Sequence, residues 1–428
     1  MIPSRYLIVL ATFSLSVLLY VDRACISTAK DPVIQTLSQT DARWLDKEWA
    51  DKRWGWIMAA FAFGYALFQT PSGALADRLG ARKILTTVVT AWSIFTGLTA
   101  TAWNLASLMV VRFFFGAGEA GAFPGIARVV YSWIPVKERG LVKGVNFSGA
   151  RIGAAVTMPF LPWLIATLGW KESFCLLMVV GFVWSLIWWF WFRDEPAEKS
   201  GVSAKELEHI LKTRQQATAD TAPPKPLRLG ALFGSANMWF VMGQYFASNF
   251  TFFFTLTWLY PYVKKTYNLD LVTAGFYAMA PLLAGALGNI VSGAFVDFLY
   301  RHTSRTLSRR LPAIIGFSLA AIGLTMSVGQ ETAVSAVAWL SLAVFGADMT
   351  LSPSWSLCID IGGKHAGAVS GTMNMAGNLG SAVVGLVFPY LIIAYGPKGF
   401  FWVGAALNVV AIGLWLFASP ERKLEDAA

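Results

Sequence analysis

The chain has 428 residues, 56% of them hydrophobic and only 14% charged, against about 45–50% and about 25% in ordinary soluble proteins. Together with a mean hydropathy of +0.55, this excludes a disordered chain and a conventional cytosolic enzyme, and it predicts an all-α polytopic membrane protein. The net charge of +10 would suggest nucleic acid in a soluble protein; here it reads as the Lys and Arg excess of cytoplasmic loops.

In chain order, the N-terminal run to Arg23 has no small-residue cleavage site before its charges and reads as a retained first helix. Apolar blocks broken by charged or Pro/Gly punctuation predict twelve transmembrane helices at 6–28, 54–76, 84–103, 106–131, 142–166, 173–192, 236–262, 272–298, 311–329, 333–357, 367–394 and 399–418. Segment 29–53 is polar and carries Trp44, Trp49 and Trp54, as expected of an external excursion resting on the headgroup interface. The longest polar region, Asp194 to Leu229, contains Pro223, Pro224 and Pro226. Within it, Ser203 to Glu206 resembles a capping box opening a surface helix through Gln215. The expected organisation is an N-terminal half (1–193), a cytoplasmic linker (194–235) and a C-terminal half (236–428).

With both termini inside, the cytoplasmic loops, termini and linker hold 21 of the 34 Lys and Arg, Lys143 among them, against nine on the other face. The chain is expected in the inner (plasma) membrane, multi-pass and monomeric. Cys25, Cys175 and Cys358 lie at unrelated spacings, so neither a metal motif nor a disulfide framework is expected. No cofactor, metal or catalytic residue is expected either.

The halves echo each other. Gly73-Ala-Leu-Ala-Asp77 and Gly293-Ala-Phe-Val-Asp297 follow the second and eighth spans, and Ser148-Gly149 and Ser370-Gly371 fall in the fifth and eleventh. Equivalent positions in two sets of six suggest duplication.

The run Gly73-Ala-Leu-Ala-Asp77-Arg78-Leu-Gly80-Ala-Arg82-Lys83 resembles the loop 2–3 signature of the major facilitator superfamily. That implies twelve helices in two pseudo-symmetric halves. In this motif Gly73 would allow close helix approach, Asp77 would cap a helix or pair with a base, and Arg78, Arg82 and Lys83 would anchor the inner face. Narrower features resemble the anion:cation symporter branch, which includes bacterial sugar-acid/proton symporters, vesicular glutamate transporters and sialin. In the first half they are Tyr20-Val-Asp22-Arg23, Phe63-Gly-Tyr65, and Arg112 through Glu119 to Pro124. In the second they are Gly243-Gln244-Tyr245, Thr257-Trp258 to Tyr262, Trp355 with Asp360, and Ser370-Gly371-Thr-Met-Asn374 with Asn378.

Away from the ends of the spans of the first half lie five ionisable residues: Asp22, Arg23, Arg112, Glu119 and Arg151. Each costs about 2.5–3.5 kcal/mol to insert, so they point to a function rather than to packing. Three cations against two anions leave one positive charge for an anionic ligand. Arg112 and Glu119 are seven residues apart, on one helix face. The resemblance implies that Arg23 takes the substrate carboxylate, that Arg112 pairs with Asp22, and that Glu119 is a second proton carrier. His209, His302 and His365 fall in or beside loops, which leaves proton coupling to carboxylates.

Arg151 departs from the resemblance, because sugar-acid members carry a neutral Gln there. It either snorkels or is paired within its own half, or it is a clamp for a second acidic group of the substrate. Asp348 either pairs with an Arg of the first half when the halves close or stays hydrated near the outer side. Tyr65, Gln244, Ser248, Asn249, Trp355, Asn374 and Asn378 are the expected contacts for the hydroxyls and carbon chain of a substrate.

The function expected is proton-coupled import of a small organic anion, a sugar acid (hexonate, hexuronate or aldarate), by alternating access, with no nucleic-acid partner. The alternatives are a sodium-coupled or exchange carrier for a dicarboxylate, sialic acid or phosphate, and a non-transporting membrane anion sensor.

Overall fold

Backbone amides in lipid find partners only within their own segment or in a closed barrel, and this chain uses helices. The computed structural model describes residues 3–215, 229–257, 259–269 and 271–424, with no strand among them. In the first half, α1 is Ser4–Thr28, α2 Lys47–Leu79 and α3 Ala81–Thr99. α4 runs Leu105–Glu119 and resumes as Ala122–Trp133, followed by α5 (Arg139–Leu168) and α6 (Trp170–Trp191). In the second half, α7 is Ala236–Thr257 with Leu259–Thr266, α8 Leu271–His302, α9 Arg305–Met326, and α10 Ala333–Met349 with Leu351–Gly362. One helical stretch, Ala366–Phe417, is broken by Gly396 (φ 66°) into α11 and α12.

On length and apolarity alone, seven described stretches suffice to cross a bilayer, one of them running from α10 into α11. The remaining helices carry more polar residues and are held in the bundle by their neighbours. α2 starts at Lys47 rather than at 54, because the Asp46 carboxylate accepts from the backbone N–H groups of Glu48 (3.0 Å) and Trp49 (3.2 Å).

Two local expectations change. Trp44 and Trp54 do not rest on a headgroup layer. They are buried in a small core with Val33, Leu37, Trp170 and Phe174, where the Trp170 indole donates to Thr36 Oγ1 at 3.0 Å. In the linker, the helix is Ala204–Thr213, and Ser203 Oγ accepts from the Glu206 N–H. The Glu206 carboxylate, however, accepts from the backbone N–H groups of Ser4 and Arg5, both at 3.0 Å. It therefore caps α1 instead of returning to Ser203, and the capping box is only half made. Positions 216–228, with Pro223, Pro224 and Pro226, lie outside the described residues, as does Trp258.

The repeat seen in the sequence has a physical counterpart where the halves meet. Asp77 at the end of α2 accepts from the N–H groups of Gly367 and Ala368, both at 2.8 Å, at the start of α11. Asp297 at the end of α8 accepts from Gly140 and Leu141, both at 2.8 Å, at the start of α5. Each carboxylate caps a helix of the opposite half. Close approach is essential to this. A Cβ on Gly73 would strike the Gly367 carbonyl, and one on Gly293 the Gly140 carbonyl.

Arg5 and Leu424 lie on this same face: Arg5 pairs with Glu138 (3.1 Å), and the Leu424 N–H donates to the Ile361 carbonyl (2.9 Å). Here the halves are clamped together.

In the loop signature, Gly80 (φ 84°) turns the chain between α2 and α3. The Arg82 N–H donates to Asp194 (3.0 Å) and its Nε to the Trp189 carbonyl (2.8 Å). Arg78 and Lys83 are exposed.

Candidate functional site

Between the halves lies a cavity of about 270 Å³. From the first half it is lined by Arg23, Arg112, Arg151, Tyr20, Phe61 and Tyr65, and from the second by Ser248, Asn249, Phe252, Trp355, Asn374 and Asn378. Its floor is aromatic. Phe123 of α4 and Phe147 of α5 stack at 5.2 Å, and Trp355 of α10 closes on them at 5.7 and 5.4 Å. The Trp355 indole donates to the Tyr245 hydroxyl at 2.8 Å. The floor separates the cavity from the clamped face, and the lining extends the other way to Ser27, in the last turn of α1, and to Met58. A second, shallow space of about 410 Å³ between α9 and α12 has no charged group in its lining.

The charged pairs differ from those expected. Arg23 is an ion-pair partner of Glu119, with Nε donating to Oε1 at 3.3 Å and a second contact at 3.1 Å. Its guanidinium also lies 4.6 Å from the Tyr65 ring. Asp22 does not pair with Arg112. One of its oxygens accepts from the Trp92 indole on α3 at 3.0 Å, and the other has no hydrogen-bond partner among the described residues. Helix geometry explains the exchange, because adjacent residues diverge by about 100°. Arg23 therefore faces α2, α4 and the cavity, and Asp22 faces α3. Arg112 lines the cavity without an ion pair, over the rings of Phe61 (5.0 Å) and Phe115 (4.4 Å). Its Nε and one terminal nitrogen are buried and unsatisfied. Among the described residues it is the guanidinium the cavity leaves unpaired.

Arg151 is not paired within its own half. It crosses to Asp348 of α10, its Nε donating at 2.6 Å in a bidentate contact, with its guanidinium 3.5 Å over the Phe252 ring. Counting Asp348, the charges at the level of the cavity are three anions (Asp22, Glu119, Asp348) and three cations (Arg23, Arg112, Arg151). The surplus cation expected at this level is thus cancelled.

The uncharged set divides. Asn374 donates weakly across the halves to the Tyr65 hydroxyl (3.4 Å), and Asn378 donates to the Asn374 carbonyl (2.8 Å). Ser248 shares a hydrogen bond with Thr350 (2.9 Å), and Asn249 donates to the Tyr245 carbonyl (3.0 Å). All four line the cavity. Gln244 does not. Its amide donates to the Val241 carbonyl and accepts from Ser354 and Trp415 (both 3.1 Å), so it holds α7, α10 and α12 together.

Lys143 was counted among the loop cations, yet it is 1% exposed. Its ammonium lies 4.9 Å from the Trp355 ring, beneath the floor, with no hydrogen-bond partner among the described residues. One turn further down, Arg139 and Arg309 both bond to Asp360, at 3.3 and 2.9 Å, wholly buried. A charge one turn inside a predicted span looks like a loop charge; the only sequence signal for its burial is the Gly140 and Gly144 on either side, both in close contact with α8.

Comparison with known proteins agrees with this architecture. The family model described as Major Facilitator Superfamily matches residues 12–385. A probable sulfoacetate transporter of Cupriavidus necator is 33% identical over 98% of this chain and 95% of its own length. A probable galactarate/D-glucarate transporter of Escherichia coli K12 is 32% identical over 91% of this chain and 89% of its own. The structure of a proton:xylose symporter bound to 6-bromo-6-deoxy-D-glucose superposes with a TM-score of 0.73, covering 99% of this chain and 98% of the symporter. At 15% identity it shares the fold.

Proposed function

The chain belongs to the major facilitator superfamily, and from that premise we propose that it imports a small organic anion, a sugar acid, together with protons by alternating access. It is a multi-pass membrane transporter and not an enzyme. The proposal places both termini in the cytoplasm of a cell whose plasma (inner) membrane holds the chain, following the distribution of Lys and Arg. The clamped face is then cytoplasmic, and the cavity in this conformation faces outward.

The observation that carries the reading is Arg112, a guanidinium lining the cavity with no ion pair. Leaving such a group buried costs several kcal/mol, and an anionic substrate removes that cost. Glu119 is the proton carrier of this reading: protonation releases Arg23, which then joins Arg112 on the substrate. Asp22, which interacts electrostatically with both Glu119 and Arg112, sets the charge balance behind them. Asn374, Asn378, Asn249 and Tyr65 supply hydroxyl contacts, and Trp355 forms a flat floor for the carbon chain.

The relatives named for galactarate/D-glucarate and for sulfoacetate favour a substrate with an acidic group at each end. The sulfoacetate relative keeps a compact sulfo-acid as the second candidate. The test is uptake of labelled aldarates, hexuronates, hexonates, sulfoacetate and phosphate into proteoliposomes, with pH, sodium and voltage gradients imposed separately. Sugar-acid accumulation driven by the pH gradient without sodium is expected. Flux that follows sodium, or that ignores the pH gradient, would overturn proton symport, and binding without flux would make the chain a sensor.

A further inference from the structure

The Arg151–Asp348 pair joins the two halves at the wall of the cavity, and both side chains are buried. Arg151 itself lines the cavity. The bidentate grip it gives Asp348 is the geometry with which a guanidinium holds any carboxylate or sulfonate. Asp348 thus occupies the position that a second acidic group of a substrate would take. Across Tyr20, which lies against both arginines, Glu119 does the same to Arg23.

We propose that Asp348 is a second proton-coupling carboxylate, and that the substrate is a dianion carried with two protons. This rests on the transport reading above. One acidic group displaces Asp348 from Arg151 and the other displaces Glu119 from Arg23, whose guanidinium shares the Phe61 ring with Arg112.

Charge conservation in a low-dielectric site carries the argument. The charges at the level of the cavity balance three against three, so a dianion entering alone leaves two uncompensated buried charges at several kcal/mol each. A displaced carboxylate that takes a proton restores neutrality, one proton for each guanidinium released. Both protons enter from the open side and leave, with the substrate, on the side now clamped.

No other embedded charge competes for this pair. Tyr20 of α1 lies against Arg151, and α7 contributes the Phe252 ring. Gly285 of α8 fits beside the Asp348 carboxylate, where a Cβ would collide with it. α8 has no charged residue before Asp297, and α9 none after Arg310.

The full-length chain in proteoliposomes decides the matter, with D-glucarate as dianion and D-galactonate as monoanion. A trapped pH indicator counts protons per labelled substrate, with and without an inside-negative potential. The wild type is expected to carry two protons with D-glucarate, indifferent to voltage, and one with D-galactonate. Asp348→Asn should carry D-glucarate with one proton. Steady-state accumulation would then fall about 50-fold at 100 mV inside-negative, because a net negative charge enters. Asp348→Glu, which keeps the acid, should retain two.

If Asp348→Asn is not recovered folded, the paired Arg151→Gln, Asp348→Asn variant replaces the ion pair with neutral groups. It should lose its preference for D-glucarate and carry one proton. A wild type that carries one proton with D-glucarate, or either Asn variant that still carries two, overturns the role of Asp348 and leaves the transport reading standing. A wild type that moves neither anion overturns the transport reading itself.

Discussion

Asp22 and Arg23 show how a helix sorts neighbours. Their side chains diverge and so meet different helices: Arg23 pairs with Glu119, Asp22 bonds to the Trp92 indole, and Arg112 is left with no carboxylate. Arg112→Gln should therefore lower uptake at subsaturating substrate by at least 100-fold, a loss of roughly 2.7 kcal/mol or more, as expected for a charged hydrogen-bonding partner of a desolvated anion. Initial rates in proteoliposomes measure it. The five residues of the first half could be read from the sequence as costly exceptions, and the pairing of Asp348 with an Arg of that half was one of its two expected outcomes, but the partners of Asp22, Arg23 and Arg112 could not be read. Spacing along a helix gives azimuth within that helix and says nothing of which neighbouring helix the face meets. Gln244 failed for the same reason, since only the fold shows that Ser354 and Trp415 take up its amide oxygen. Lys143 was missed because a cation one turn into a span is indistinguishable from a loop cation until the opposing half is in place.

At the scale of elements, the two halves hold each other by their helix ends. Asp77 caps α11, Asp297 caps α5, and glycines let the backbones meet. The Gly-to-Asp repeat behind this was legible, because its spacing needs no knowledge of azimuth, whereas the reach of each Asp to the opposite half was not. Losing an N-cap costs about 0.5–2 kcal/mol. Asp77→Ala and Asp297→Ala should each shift the population toward opening at the clamped face by about two- to thirty-fold. Cys358 reports it, because it is buried beneath the floor beside Lys143. In a Cys175→Ala background, its modification by a maleimide should accelerate in both variants by similar factors. Unchanged labelling would mean that the caps do not hold this side shut.

For the whole molecule, the conformation is shut by caps, an aromatic floor and the Arg139–Asp360–Arg309 cluster on one side, with the cavity on the other, and the proposed alternating access makes it one member of a rocking cycle. Lys143 opposes this closure, for its ammonium is buried without a hydrogen bond and gains water or an anion when the halves part. Lys143→Met should raise the thermal unfolding midpoint, slow Cys358 labelling and reduce turnover together. A variant that is stabilised yet turns over faster would argue against that role.

The central claim, that an anion and protons cross together between the halves, is tested most directly by lumenal pH. Proteoliposomes containing a trapped indicator, free of sodium, receive unlabelled D-glucarate from a slightly acidic exterior. Substrate-dependent acidification of the lumen is expected in the wild type, with none in Arg112→Gln and one proton fewer per D-glucarate in Glu119→Gln. D-glucarate that enters without acidifying the lumen would contradict the claim.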